Sequence, residues 1–480
     1  ENGDSAELTP ANAAARLLCA DHLLQLNILE RFIPAQADVG AFRQFLAKVL
    51  PVVVTLESDS RLDAVVGSQE AVEIRRLASE YRRLLSAAQM FEPADAIASL
   101  NTGEAEYWLF GTELLEDFAE NEALLRECLR VHIEKISEEA GSASVQLEWH
   151  SNVKTEARLA IQRVHGLLKA DVPCRDIALS LANPEEILPH LLREARLQGV
   201  PLNVRIGDPL DATPGAVVLT AFSSLSSSGM AYTDVRDFCL NARIPFRFPN
   251  RMRALVAFGR RWRCWGRLGS YDMWKDAFQR ASSQALEKEF GQGGTFFEPY
   301  PGVTLEDVQL AYSSLESAVR RVRSAGSFLQ LRQYFFAWYT DWVDPDGWDE
   351  ASEREFQRCL EILSSLVDME QRLDIQISSP YRLFQETLAG STYVQSGGSG
   401  VAVHPYRLVA GGWVPYSFVL NVHQEAVEVL QGGMSFLRDD QQEQLEIAAR
   451  DATEFFLDAY LQSGGRVHVS GNAGPQEKMH

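Results

Sequence analysis

The sequence feature with the clearest chemistry is a run of arginines. Between Asp237 and Asp272 there is no acidic residue, yet Arg243, Arg247, Arg251, Arg253, Arg260, Arg261, Arg263 and Arg267 all lie there. The chain as a whole has 45 Lys and Arg against 66 Asp and Glu, a formal net charge of −21, so a window with eight unopposed cations stands apart. Phe246, Phe248, Phe258, Trp262, Trp265 and Tyr271 are interleaved with them. Guanidinium forks match phosphate oxygens and stack on bases, and aromatic faces accept any unpaired base. The window therefore fits contact with a single-stranded or forked nucleic acid. The competing expectation is structural: Phe246, Phe248, Phe258 and Trp262 form the core of a helical module, and the arginines pair with surplus acids elsewhere. The acidic total excludes a protein that coats duplex over its whole surface, because phosphates need a positive face.

Smaller candidates lie outside this window. Lys154 and Arg158 sit one helical turn apart and share a face, consistent with phosphate contact or a solvated surface. Arg205, His404 and Arg407 fall at the ends of expected strands, where open parallel sheets bind ligands. His423 and His468 lie in apolar runs and read as satisfied core histidines.

Several catalytic classes are excluded by the seven lysines alone. A Walker A loop needs Gly-Lys-Ser/Thr so that the ammonium reaches the β/γ phosphates, and none of the seven follows a glycine. A PD-(D/E)xK nuclease needs an acid two residues before a lysine. Leu46, Ile133, Asn152, Leu167, Met273, Leu286 and Gln476 occupy those positions instead. HExxH, GxSxG and a GxGxxG after a strand are also absent, and GQGGT at 291–295 and SGGSG at 396–400 read as flexible loops. Paired acids such as Glu116 and Asp117 lack a partner base and read as solvated faces. Cys19, Cys128, Cys174, Cys239, Cys264 and Cys359 are scattered, which gives no zinc or redox spacing and suits core thiols in a reducing compartment. No cofactor or metal is expected in this span.

The positioning elements follow from periodicity. The 480 residues suggest about three domains at roughly 150 residues each, and 46% hydrophobic content supports a core in each. Residues 11–139 read mostly as helices, including AVEIRRLASEYRRLLSAAQMF and NEALLRECLRVHIEKI, with a strand-like run at Tyr107–Phe110 before an acid-rich helix start. From 144 to 222 strands and helices alternate: SVQLEWHS, a helix at about 155–169, DIALSLA, a helix from Pro184 to Gly199, and PLNVRI. A largely helical stretch follows to 394, after which strands return at 401–407, 417–423 and 466–471, with a helix at 452–463. This order predicts an α/β fold with a parallel sheet split by a helical insertion. The boundaries are 1–143 for a mostly helical region, 144–222 with 395–473 for the α/β domain, and 223–394 for the insert. Three consecutive domains would leave the last strands too few partners. No window approaches the ~18 apolar residues of a membrane span, and the start lacks a signal peptide, so a cytoplasmic location without membrane contact is expected. The start at Glu1 and the polar end suggest a piece of a longer chain.

Specific stretches within roughly residues 105–473 give the chain a resemblance to the second motor domain of superfamily 1 helicases, most closely to the degenerate helicase-like region of AddB/RecC-type helicase–nuclease subunits. YWLFGTELLEDF at 107–118 resembles the end of that family's first motor domain. SNVKTEARLAIQRVHGLL places Glu156 where the family has a characteristic acid opening a helix, and GVPLNVRIGDPLDATP resembles the strand and loop before the family's inserted domain. GVAVHPYRLVAGGWVPYSFVLNVHQ at 400–424 resembles the motif built on Ala-Lys-Gly, with Val409-Ala410-Gly411-Gly412 in its place and no lysine. FFLDAYLQSGGRVHVSG resembles the motif ending Thr-Arg-Ala-Arg, with Gln462-Ser463-Gly464-Gly465 there instead. The resemblance implies a RecA-like motor-type domain with a large helical insertion. Its partners would be single-stranded or forked DNA and an AddA/RecB-like helicase–nuclease subunit, within an ATP-dependent parent complex.

The departures imply that this span lost its ATP chemistry, because an ATPase needs the P-loop lysine and arginine finger to hold developing phosphoryl charge. The leading expectation is thus a non-catalytic, DNA-handling segment of a double-strand-break-processing complex. Its DNA-binding set would be the eight arginines with Trp262, Trp265, Lys154 and Arg407. A structural scaffold that docks another subunit without touching DNA is the alternative. An active helicase whose P-loop lies outside the span is disfavoured by Gln462 to Gly465.

Overall fold

The computed structural model describes residues 9–29, 39–57, 59–93, 106–111, 131–134, 144–289, 300–394, 398–431, 433–434, 436–462 and 465–472. Helices α1 (Ala13–Gln25), α2 (Val39–Leu56) and α3 (Ser68–Ala87) open the chain. Asn12 caps α1 by accepting the Ala15 amide at 2.8 Å, which satisfies one of the donors exposed at a helix start. A parallel pair follows, β1 (Tyr107–Phe110) with β2 (Val131–Glu134), and Trp108 stacks on His132 at 4.4 Å. This corrects the helix expected over NEALLRECLRVHIEKI at Val131–Glu134, and the rest of that stretch lies outside the described residues. Val131 and Ile133 are β-branched and register with Tyr107 and Leu109, so strand pairing overrides local helical spacing. The acid-rich helix start after Phe110, Cys128 and the GQGGT loop lie outside the described residues.

Among the described residues, six parallel strands make the main sheet: β3 (Ser144–His150), β4 (Ile177–Leu181), β5 (Leu202–Val204), β6 (Val401–Pro405), β7 (Tyr416–Leu420) and β8 (Arg466–Asn472). Their spatial order is β3-β8-β7-β4-β6-β5. Helices α4 (Val153–Lys169) and α5 (Pro184–Gln198) cover one face, packing Ala157, Ile161 and Ile187 against Leu179, Phe418 and Leu420. α5 begins at Pro184 and stops at Gly199, whose φ of 69° is the left-handed stop that glycine adopts freely.

Between neighbouring strands β5 and β6 the chain runs through α6 (Val217–Ser227), α7 (Tyr232–Cys239), α8 (Pro249–Trp262), α9 (Met273–Glu289), α10 (Leu305–Arg323), α11 (Phe328–Trp342), α12 (Glu350–Leu373) and α13 (Pro380–Ala389). The last helix, α14 (Thr453–Leu461), packs Phe456 and Tyr460 with Val419 and Val467 on the second face of the sheet. Odd and even strand positions thus serve opposite layers, as a doubly covered parallel sheet requires.

The helical residues before the sheet and those between β5 and β6 share one core. Leu18, Leu50 and Tyr81 join Phe222, Trp274, Phe335 and Leu366 in a continuous cluster, which also takes Met434, Leu437 and Leu445 from the segment after β7. Asp21 and Arg43, both buried, extend this contact: Arg43 pairs with Asp21 at 2.8 Å and with Glu386 of α13. No described helix is long and apolar enough to cross a membrane.

Candidate nucleic-acid interface

Helix α8 presents the arginines because its other side is consumed by packing. Met252, Leu255, Val256 and Phe258 are buried, and Gly259 lies so close to α9 that a Cβ there would sit 2.4 Å from the Trp274 ring. That fixes the roll of the helix. Arg253 and Arg260, two turns apart, then share the exposed face with Arg261 beside them. The helix ends at Arg263 in the left-handed region, φ 54°. Trp265 follows, 68% exposed, and leads into a short hairpin, Arg267–Leu268 with Tyr271–Asp272, on which Leu268 and Tyr271 are also exposed.

Seven of the eight arginines divide into two groups. Arg251 pairs with Asp307 at 2.8 Å and lies over the Phe248 ring, and Arg247 Nε donates to the Val343 carbonyl at 3.0 Å. Arg267 is held by Glu316 at 2.7 Å and Asp272 at 3.2 Å. These three hold the helical body together. Arg243, Arg253, Arg260 and Arg263 are exposed and make no ion pair among the described residues. Trp262 departs from expectation as a DNA contact: it is half-buried, packs on Phe258 at 5.9 Å and is covered by Arg280. Phe258 is core, as the structural alternative holds, whereas Phe248 is 41% exposed.

The remaining candidates fall at the carboxyl end of the sheet, away from α8 in sequence. Lys154 and Arg158 are exposed on the first turns of α4, which follows β3. Arg407 is exposed but donates to the Glu428 carbonyl at 2.7 Å, so it braces the segment after β7. Arg205 lies beside His404, whose pKa is lowered first by burial and then by that arginine. His423 lies just past β7 rather than within the strand.

Adjacent strands β4 and β7 send their chains to opposite faces of the sheet, which opens a crevice at their carboxyl ends where such folds bind ligands. Here the crevice is filled by the protein's own polar groups. Glu156, fully buried in the first turn of α4, accepts from the Asn421 amide at 2.7 Å, the Ser470 hydroxyl at 2.6 Å and Asn472 Nδ2 at 2.8 Å. Asn421 Nδ2 reaches Glu186 of α5 at 2.8 Å, and Asn421 itself adopts φ 59°. Each polar partner is satisfied within the set, so the network ties two helices to two strands. Sequence reasoning missed Asn421, Ser470 and Asn472. Their only local signal is a run of small polar residues where apolar strands end.

Burial pushes the thiols of Cys19, Cys239, Cys264 and Cys359 up to about 12, which keeps them protonated and poor nucleophiles. His468 also departs from expectation. It stacks on Phe418 at 4.8 Å, yet its buried Nδ1 has no hydrogen-bond partner among the described residues. Its pKa is lowered, first by burial and then by Arg163. A base with a depressed folded pKa binds fewer protons folded than unfolded, so stability falls as pH drops through the unfolded value near 6.5. Urea midpoints at pH 7.5 and 5.5 are expected to show this loss, and His468→Phe is expected to reduce it. An equal drop in that variant would remove His468 from the explanation.

Two family models match the chain. The one described as "Treponema TP0900 N-terminal P-loop domain" covers residues 2–135, and the one described as "Treponema TP0900 fourth helical domain" covers residues 211–394. Within the first span the lysines are Lys48 and Lys135, neither of which follows a glycine. Over 509 aligned residues the chain is 28% identical to a Treponema pallidum (strain Nichols) protein described as "Uncharacterized protein". That alignment takes in 95% of this chain and 63% of the relative, so the chain spans less than two thirds of the relative's length. The chain is thus similar to part of a longer protein, and two of its stretches are similar to models described as a P-loop domain and a helical domain.

Proposed function

We propose that the chain is a non-catalytic, helicase-like segment of a double-strand-break-processing helicase–nuclease complex of AddB/RecC type. It binds single-stranded or forked DNA and docks a motor–nuclease partner. The observation that carries this reading is the exposed set Arg253, Arg260 and Arg263 with Trp265, in a chain of net charge −21. Guanidinium groups without acidic partners, set beside an open indole face, offer the charge and stacking that an unpaired strand requires. A parallel sheet covered on both faces, with a long helical stretch between two neighbouring strands, supports a RecA-like domain carrying an insertion. The neighbouring match to a model described as a P-loop domain is consistent with this.

The proposed loss of ATP chemistry is supported by packing. Gly465 stands in the stretch that resembles the arginine-bearing motif, and a Cβ there would lie 2.4 Å from the Val414 carbonyl oxygen. Tight apposition of chain has taken the place of a projecting cation.

Anisotropy titrations of tailed duplex across a salt series test the proposal. Arg253/Arg260/Arg263→Ala is expected to lower the salt slope by about 2, at ~0.7 per single-strand phosphate contact. Trp265→Ala is expected to weaken single-strand binding by about 1–3 kcal/mol and leave blunt duplex unaffected. Unchanged slopes in a folded triple variant would transfer support to the second reading, a docking scaffold without DNA contact. That reading is favoured by edge strand β3, whose Val145, Leu147 and Trp149 alternate on one exposed face, with Leu147 76% and Trp149 64% exposed.

A further inference from the structure

A second cluster of arginines surrounds a cavity of about 360 Å³ between the ends of α6 and α10. Its floor is Leu225, Met230 and Val319, and its charged rim is Arg267, Glu316, Arg320 and Arg323. The charges do not cancel. Glu316 and Asp272 are both engaged by Arg267, at 2.7 and 3.2 Å, and Lys275 approaches each of them within 3.8 Å. Those four groups are neutral together, which leaves Arg320 and Arg323 as uncompensated cations among the described residues. Arg320 follows Glu316 by one turn, yet the carboxylate is drawn to Arg267. Among the described residues Arg320 makes no ion pair.

The arginines are not needed to cap the helix beside them. The last carbonyls of α6 already accept the Ser228, Gly229 and Met230 amides at 3.0, 3.2 and 2.8 Å. Arg323 Nη1 donates to the Ser226 hydroxyl at 2.9 Å, which aims its guanidinium across the cavity mouth toward α6. Arg267 links this cavity to α8. It belongs to the arginine-rich window, lines the cavity, and its backbone amide bonds the Gly229 carbonyl at 2.8 Å.

We propose that the cavity is a phosphate-binding site, in which Arg320 and Arg323 take backbone phosphates of the strand that α8 contacts. This inference rests on the nucleic-acid reading of α8. Arg267, neutralised together with Lys275 by the two carboxylates, is the positioning residue that sets the distance between the two loci. A phosphodiester and free phosphate share the recognising chemistry, so both are tested.

The experiment is a salt titration of labelled single-stranded DNA with the whole chain, Arg320/Arg323→Gln, Arg321→Gln and Arg253/Arg260/Arg263→Ala. Arg321 sits on the same helix without lining the cavity and controls for charge loss alone. The expected result is a slope lowered by about 1.4 in the double variant, beyond the effect of Arg321→Gln. An unchanged slope there, while the α8 variant is defective, would overturn this site and leave the α8 reading standing. No binding by the parent chain would overturn both. Pyrophosphate that raises the melting temperature of the parent but not of the double variant, with strand slopes equal, would overturn the assignment to a strand.

Discussion

Glu156→Ala is expected to lower the unfolding free energy by about 3–5 kcal/mol, because it strands three buried donors at once. The Asn421 amide, the Ser470 hydroxyl and Asn472 Nδ2 all converge on this carboxylate, and no water-exposed route replaces it at a position with 0% exposure. Glu156→Gln keeps one acceptor oxygen for the Asn421 amide and the Ser470 hydroxyl, and only the contact with Asn472 Nδ2 then sets donor against donor. Its loss is therefore expected to be smaller, about 1–2 kcal/mol. Urea denaturation followed by circular dichroism gives both values. An alanine variant within about 1 kcal/mol of the parent would show that the network carries little stability, and Glu156 would then deserve study as a ligand group.

This network also shows where local sequence stops being informative. Glu156 was legible as an acid opening a helix through the resemblance carried by SNVKTEARLAIQRVHGLL, and in the structure Asn152 caps that helix. Its partners lie 265 to 316 residues away, in positions that only the parallel pairing of β7 and β8 brings beside α4. The strands themselves were legible because β4, β7 and α5 carry their own signals, such as the run Ile177–Leu181, apolar but for Ser180, and the Pro184 and Gly199 stops. The strand Val131–Glu134 was not, because its apolar residues suit a helix equally well until Tyr107–Phe110 pairs with them.

The arginine window shows the same limit at a site. Composition identified the window, but could not separate Arg251 and Arg267, whose partners Asp307 and Glu316 lie 56 and 49 residues on, from Arg253 and Arg260. Helical spacing could have contributed part of the answer. Met252, Leu255, Val256 and Gly259 define a buried stripe on α8, and Arg253 and Arg260 lie off it. Trp262 sits close to the boundary of that stripe, and only the position of Arg280 decides that its ring is covered.

The shared helical core leads to the second large effect. Asp21→Ala is expected to cost about 3–5 kcal/mol, because Arg43, 5% exposed, would keep its charge with Glu386 as its remaining carboxylate. Glu386 is itself shared with Arg382 at 2.8 Å, so it cannot fully compensate. Asp21 also accepts from the Ser378 amide at 3.0 Å and hydroxyl at 2.9 Å, which ties α1 to the turn before α13. Adding Arg43→Met to Asp21→Leu removes the stranded charge and is expected to recover part of the loss, with the Ser378 bonds still missing. Hydrogen exchange distinguishes a shared core from two independent ones. If α1 and α2 belong to the same cooperative body as α6 to α13, Asp21→Ala lowers protection in both sets together. Loss confined to α1 and α2, with α13 protected as in the parent, would mean that the contact joins two separately stable bodies. In the first case α8 is held by the whole helical mass, including the residues that precede the sheet. The strand binding proposed for its arginines would then fall on one cooperative body that includes those opening helices.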